Sequence, residues 1–159
     1  MPQAAPLDLV ILATGTNNSF VEAGRKQQDT ANEMRDLIKA AEDLPSDPGS
    51  SVPNTNPPKV MIVSPPNCLP LSSVTGESFP ELDDLTRWLP ELTKLYGKLA
   101  IAQDTYLADE AKFCEPDPVD GLHLGVENTR KLGLGIAKVL TLEGFAKFYQ
   151  APRQQQTLW

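Results

Sequence analysis

The tetrapeptide Asp120-Gly-Leu-His123 sets the single histidine of this chain three residues after an aspartate. Imidazole has the unperturbed pKa closest to neutral, so a proton shuttle in this chain would fall to His123. A carboxylate within reach, Asp120, would fix the ring's tautomer and stabilise the imidazolium. What such a pair would activate is harder to find. Ser19 follows a turn, Ser64 ends an apolar run, and Ser50, Ser51, Ser72, Ser73 and Ser78 fall in loops or at a cap. None sits in a sharp strand-to-helix nucleophile elbow. Cys68 and Cys114 lack zinc-ligand spacing and make no disulfide framework, so they read as two free thiols. A bond between them is open only to a fold that brings them together. No nucleophile is assigned, and no metal or organic cofactor is expected.

The elements that must position the pair follow from periodicity. Leu7-Asp-Leu-Val-Ile-Leu-Ala13 is a short apolar run that reads as a buried strand, and Thr14-Gly-Thr-Asn-Asn18 then turns the chain. Over 19–44, Ala31, Met34, Leu37, Ile38, Ala41 and Leu44 recur at helical steps and predict one apolar face. Residues 45–58 hold five prolines and predict a mobile loop. Lys59-Val-Met-Ile-Val-Ser64 is a second buried strand, stopped by Pro65-Pro66. Ser78-Phe-Pro-Glu81 has the form of a capping box. The helix it opens carries Leu82, Leu85, Trp88, Leu89, Leu92, Leu95, Tyr96 and Leu99 on its core face. Pro90 should kink or divide that helix. Leu99-Ala-Ile-Ala-Gln103 is the expected third strand, with a helical turn near 108–112. A last helix over 126–140, or on to 149, turns Leu132, Ile136, Val139 and Leu140 inward. Gly133 and Gly135 weaken it by about 1 kcal/mol each.

Strand and helix alternate three times, which predicts a parallel sheet between helices in an α/β fold. Functional groups in such sheets lie beyond the carboxyl ends of the strands. The turn at 15–18, the loop at 65–68 and the loop of Asp120 and His123 would share that edge.

Composition narrows the partners. The 159 residues suit one domain, placed at 1–149 with a flexible tail at 150–159. With 21 acidic and 14 basic residues the net charge is −7, which disfavours nucleic acid and anionic membranes. No apolar stretch reaches the roughly 20 residues of a membrane span. The first residues show no secretory leader, so the default location is cytoplasmic.

Two blocks resemble a known family. Leu7-Asp-Leu-Val-Ile-Leu-Ala-Thr-Gly15-Thr-Asn17-Asn18 is similar to the Gly-x-Asn-Asp block of the SGNH hydrolases, also called GDSL-type esterases and lipases. Val119-Asp120-Gly-Leu-His123-Leu, with Glu127-Asn-Thr-Arg-Lys-Leu-Gly133 behind it, resembles their Asp-x-x-His block. The strand Val60-Met-Ile-Val-Ser-Pro-Pro66 also looks familial, and the arrangement is similar to that of SGNH arylesterases. The resemblance implies a three-layer α/β/α, flavodoxin-like fold. It implies hydrolysis or acyl transfer of small carboxylic esters, with Asp120 and His123 in a catalytic triad and Asn17 donating to the oxyanion. Asn18 stands where the family usually has Asp. The family's Gly-Asp-Ser and second blocks, upstream of Gly-x-Asn-Asp, have no counterpart among these residues. The chain is therefore expected to be an N-terminally truncated esterase, inactive alone. The alternative is a non-catalytic interaction module or pseudoenzyme. In the family the first strand pairs with the counterpart of residues 9–13, so its absence predicts a homo-oligomer or a partner segment on that edge.

Overall fold

Val60, Met61, Ile62 and Val63 are apolar without interruption, and a strand of that kind belongs in the middle of a sheet covered on both faces. In the computed structural model, which describes residues 7–18, 24–45 and 55–142, this segment is the central strand β2, Lys59–Ser64. It lies between β1, Leu9–Ala13, and β3, Tyr106–Asp109. All pairings are parallel, with Val10 opposite Val60 and Val63 opposite Ala108. All three strands therefore end at the same edge.

Alternation along β2 assigns its two faces. Val60 and Ile62 meet Ala31, Met34, Ile38 and Ala41 of helix α1, Gln27–Glu42, and Leu92, Tyr96 and Ala100 of α2, Leu82–Ala102. Met61 and Val63 face the other way, toward Leu132, Ile136, Val139 and Leu140 of α3, Val126–Leu142. The architecture is a three-layer α/β/α sandwich. Crossovers of one hand that advance in one direction put α1 and α2 on the same face. The chain changes faces only after β3, in the stretch that carries Asp120 and His123. No helix among the described residues is long and apolar enough to cross a membrane.

Several expectations need correction. Residues 99–103 are not a strand but the end of α2, because Ala100 extends the buried stripe of Leu92 and Tyr96. Ile101, which suggested a strand, is 86% exposed. The third strand follows Asp104, whose φ of +51° turns the chain after the helix. Pro90 does not divide α2, since the buried side chains of Leu85, Leu89 and Leu92 hold both halves in one helix. Leu37 sits at one margin of the α1 stripe and Leu44 lies past the end of the helix, and both are exposed. The helix opens at Leu82 rather than at a Ser78 cap, and Glu81 stands at its N-terminus without a side-chain cap bond. The helical turn is a 3-10 turn, Glu110–Lys112. Most of the 45–58 loop, the start of the predicted helix at 19–23, its extension past 142 and the 150–159 tail lie outside the described residues.

Candidate active site

The loop between β3 and α3 is shaped by backbone bonds that close on themselves. The Asp117 N–H donates to the His123 carbonyl at 2.7 Å, and the Gly121 N–H to the Asp117 carbonyl at 2.9 Å. Gly121 has a φ of +73°, and a Cβ there would lie 2.9 Å from both Leu82 Cδ2 and Val74 Cγ2. Only glycine meets both conditions.

Asp120 organises the turn from within. Its Oδ1 accepts the backbone N–H of Leu122 and of His123, each at 2.9 Å. Its Oδ2 lies 2.6 Å from His123 Nδ1. Burial by itself would raise the Asp120 pKa. The Leu122 N–H, the His123 ring and the His123 N–H outweigh it and hold the carboxyl below its ordinary value. A neutral imidazole that donates Nδ1–H to this carboxylate keeps Nε2 as an acceptor, on a side chain 71% exposed.

Asn17 is exposed in the turn after β1. That turn is fixed from two sides. The Tyr96 hydroxyl, from α2, donates to the Thr14 carbonyl at 3.1 Å. Gly15 has a φ of +128°, and a Cβ there would come within 2.7 Å of the Tyr96 oxygen. The Asn18 amide donates to Glu33 Oε2 at 2.9 Å, while Arg25 pairs with the other oxygen of Glu33. Burial, reinforced by the Glu33 charge, pushes the Tyr96 hydroxyl upward, so it stays a donor.

The remaining candidates lie elsewhere. Ser64 is fully buried; it bonds Asp109 and accepts the Glu110 N–H at 3.3 Å. Ser78 donates to the Asp120 carbonyl. Ser72 and Ser73 are exposed in a 3-10 turn, and Ser19, Ser50 and Ser51 fall outside the described residues. Cys68 and Cys114 are free and buried, and burial pushes each thiol up to about 11. Among the described residues, no group of three or more His, Cys, Asp or Glu is gathered to hold a metal ion. Periodicity gave no sign of Glu33 and Arg25 as partners of the turn, since both look like ordinary surface charges. The loss of a negative charge at Asn18 was the one available signal.

No protein-family model and no curated protein matches the chain. Solved structures do. The native aryl esterase of M. smegmatis is 28% identical, over 87% of this chain and 61% of that one, with a TM-score of 0.67. Est24, a carbohydrate acetylesterase from Sinorhizobium meliloti, is 27% identical over 88% of this chain and 62% of its own, with a TM-score of 0.64. A lipolytic protein of the G-D-S-L family from Veillonella parvula shares the fold at 14% identity and a TM-score of 0.59, over 87% and 67%. The chain shares the fold of these esterases, in line with its resemblance to the SGNH hydrolases. It spans less than two thirds of the length of the two esterases. Asn17 and the Asp120–His123 pair both follow strands that end at the carboxyl edge of the sheet.

Proposed function

We propose that the chain carries the acid/base part of an SGNH-type serine esterase that acts on small carboxylic esters. The observation that carries this reading is the 2.6 Å contact between His123 Nδ1 and Asp120 Oδ2 on an otherwise exposed ring. His123 Nε2 takes the proton of a serine hydroxyl as it attacks the ester carbonyl, then returns it to the leaving alcohol. Asp120 holds the ring and balances its charge. Asn17 donates to the oxyanion, a contribution of about 3–4 kcal/mol to the transition state. We place the nucleophilic serine outside these 159 residues, because Ser64 and Ser78 are turned to other partners, Ser72 and Ser73 lie in an exposed 3-10 turn and not in a strand-to-helix elbow, and both thiols are held protonated by burial. The chain alone then turns over no ester.

The test is p-nitrophenyl acetate hydrolysis by the chain alone, by the chain joined to a Gly-Asp-Ser-bearing strand segment of an SGNH esterase, and by that joined protein carrying His123→Ala. Only the joined protein with His123 should give a burst, at a rate at least about 100-fold above the variant. Equal rates for the joined protein and its His123→Ala variant would remove His123 from the chemistry. A second reading, an interaction module in which the pair is only a surface hydrogen bond, draws on β1. Among the described residues that strand is paired on one side only, and Ile11 is 45% exposed.

A further inference from the structure

Ser78 was expected to cap a helix, yet its hydroxyl donates to the Asp120 carbonyl at 2.5 Å. This bond is one of a set. The Thr75 N–H donates to the Pro118 carbonyl at 2.8 Å, and the Gly76 N–H to the Val119 carbonyl at 2.9 Å. The Leu69 N–H donates to the Gly121 carbonyl at 2.9 Å. The Thr75 hydroxyl adds a second donor to Pro118, at 3.2 Å. Four consecutive carbonyls of the loop, from Pro118 to Gly121, are thus all held by one segment, residues 69–78.

That segment is itself anchored away from the loop. The Leu71 N–H donates to Asp83 Oδ1 at 2.7 Å in the first turn of α2, and Cys68 Sγ bonds the Leu82 carbonyl. Contact is close enough to dictate side chains: a Cβ on Gly76 would stand 2.7 Å from the Val119 carbonyl oxygen. The loop that bears the acid/base pair has no helix or strand of its own from 113 to 125. Its position is therefore borrowed from the connection between β2 and α2.

We propose that residues 69–78 act as a strap that positions His123, with Ser78 as its positioning residue. This rests on the reading of His123 as the base. Within the strap, Ser78 is the side-chain donor to Asp120 itself. Its bond fixes the peptide from which the Asp120 carboxylate reaches back to three partners, the Leu122 N–H, the His123 N–H and the imidazole. Releasing that peptide lets the carboxylate swing and frees the ring. Ser78 does not touch the reacting atoms and acts through Asp120.

The test is spectroscopic and needs neither substrate nor nucleophile. His123 is the only histidine, so a downfield Nδ1 proton resonance in the intact chain belongs to it, and Asp120→Asn checks the assignment by abolishing it. Ser78→Ala should broaden or remove that resonance and speed exchange of the Leu122 and His123 amides about fivefold, the worth of one ordinary hydrogen bond. Ser78→Thr, which keeps the hydroxyl, should restore both, and the amides of β2 should exchange at the wild-type rate in either variant. Thr75→Val, which removes only the second donor to Pro118, should give a smaller effect in the same direction and serves if Ser78→Ala does not fold. Wild-type exchange at Leu122 and His123 in the folded variant would overturn the strap. So would equal acceleration in the loop and in β2, which would mean a loss of stability alone. An esterase assay that fails while the resonance responds to Ser78 would count against His123 as a base and leave the strap intact.

Discussion

Two of the carboxyl groups between β3 and α3, Glu110 and Asp120, are driven in opposite directions by their surroundings. Asp120 is held below its ordinary value by the donors around it, despite some burial. Glu110 is buried against Cys114 with one weak donor, the thiol at 3.8 Å, and burial pushes its pKa up to about 7. The folded state therefore binds more protons at Glu110 than the unfolded chain does between about 4.5 and 7. Stability from this group is fully present below that window and is lost as pH rises through about 7. Carboxylates of the Asp120 kind act the other way and lose their contribution as pH falls. Glu110→Gln keeps the shape and removes the titration. Its Tm measured against wild type from pH 4.5 to 8 should gain a few degrees, with the gain growing as pH rises. A Tm difference that does not change with pH would show that Glu110 ionises freely where it stands.

At the scale of elements, α3 holds the loop's far end, and its two central glycines are not equivalent. Gly133 faces open space, while a Cβ on Gly135 would overlap the Phe113 ring. Gly133→Ala should stabilise the chain by about 1 kcal/mol through helix propensity. Gly135→Ala should destabilise it by about 1–3 kcal/mol, because the ring must leave its place against the sheet. Urea denaturation of both variants reads the two signs, and Phe113→Leu should recover part of the second loss. Periodicity could not separate these glycines, because it records spacing and not what lies opposite. The same reason explains what else was legible. Uninterrupted apolar runs identify β1 and β2, and the stripes of α1 and α3 place their inner faces, because burial writes itself into spacing. The third strand, Tyr106–Asp109, is short, with a polar end and only Ala108 fully buried, so it left no pattern while the better pattern at 99–103 belonged to a helix. Asp120 and His123 were legible because three residues of separation suffice to bring them together. The Ser78 contact joins groups 42 residues apart and competes with a local cap motif that looked complete.

At the scale of the molecule, the sheet formed by the described residues pairs β1 on one side only. Val10 and Leu12 pack toward α1 and α2, and Leu9 toward the α3 face. The strand is thus supported on both faces while, among the described residues, its outer edge pairs with none. Backbone groups along such an edge are a template for another strand, and the half-exposed Ile11 gives an incoming strand an apolar contact. The net charge of −7 works against self-association, but it acts through water and is screened within about 10 Å at 0.1 M salt. Edge pairing is short-ranged and is not. Association should therefore increase as salt is raised from low ionic strength. Light scattering coupled to size exclusion at micromolar concentration should show a dimer or larger species at 0.3 M salt. Ile11→Lys, which places a charge on the edge, should shift the population toward monomer without unfolding the chain. A wild-type chain that stays a monodisperse monomer across that salt range would mean that the edge of β1 is covered within the chain itself.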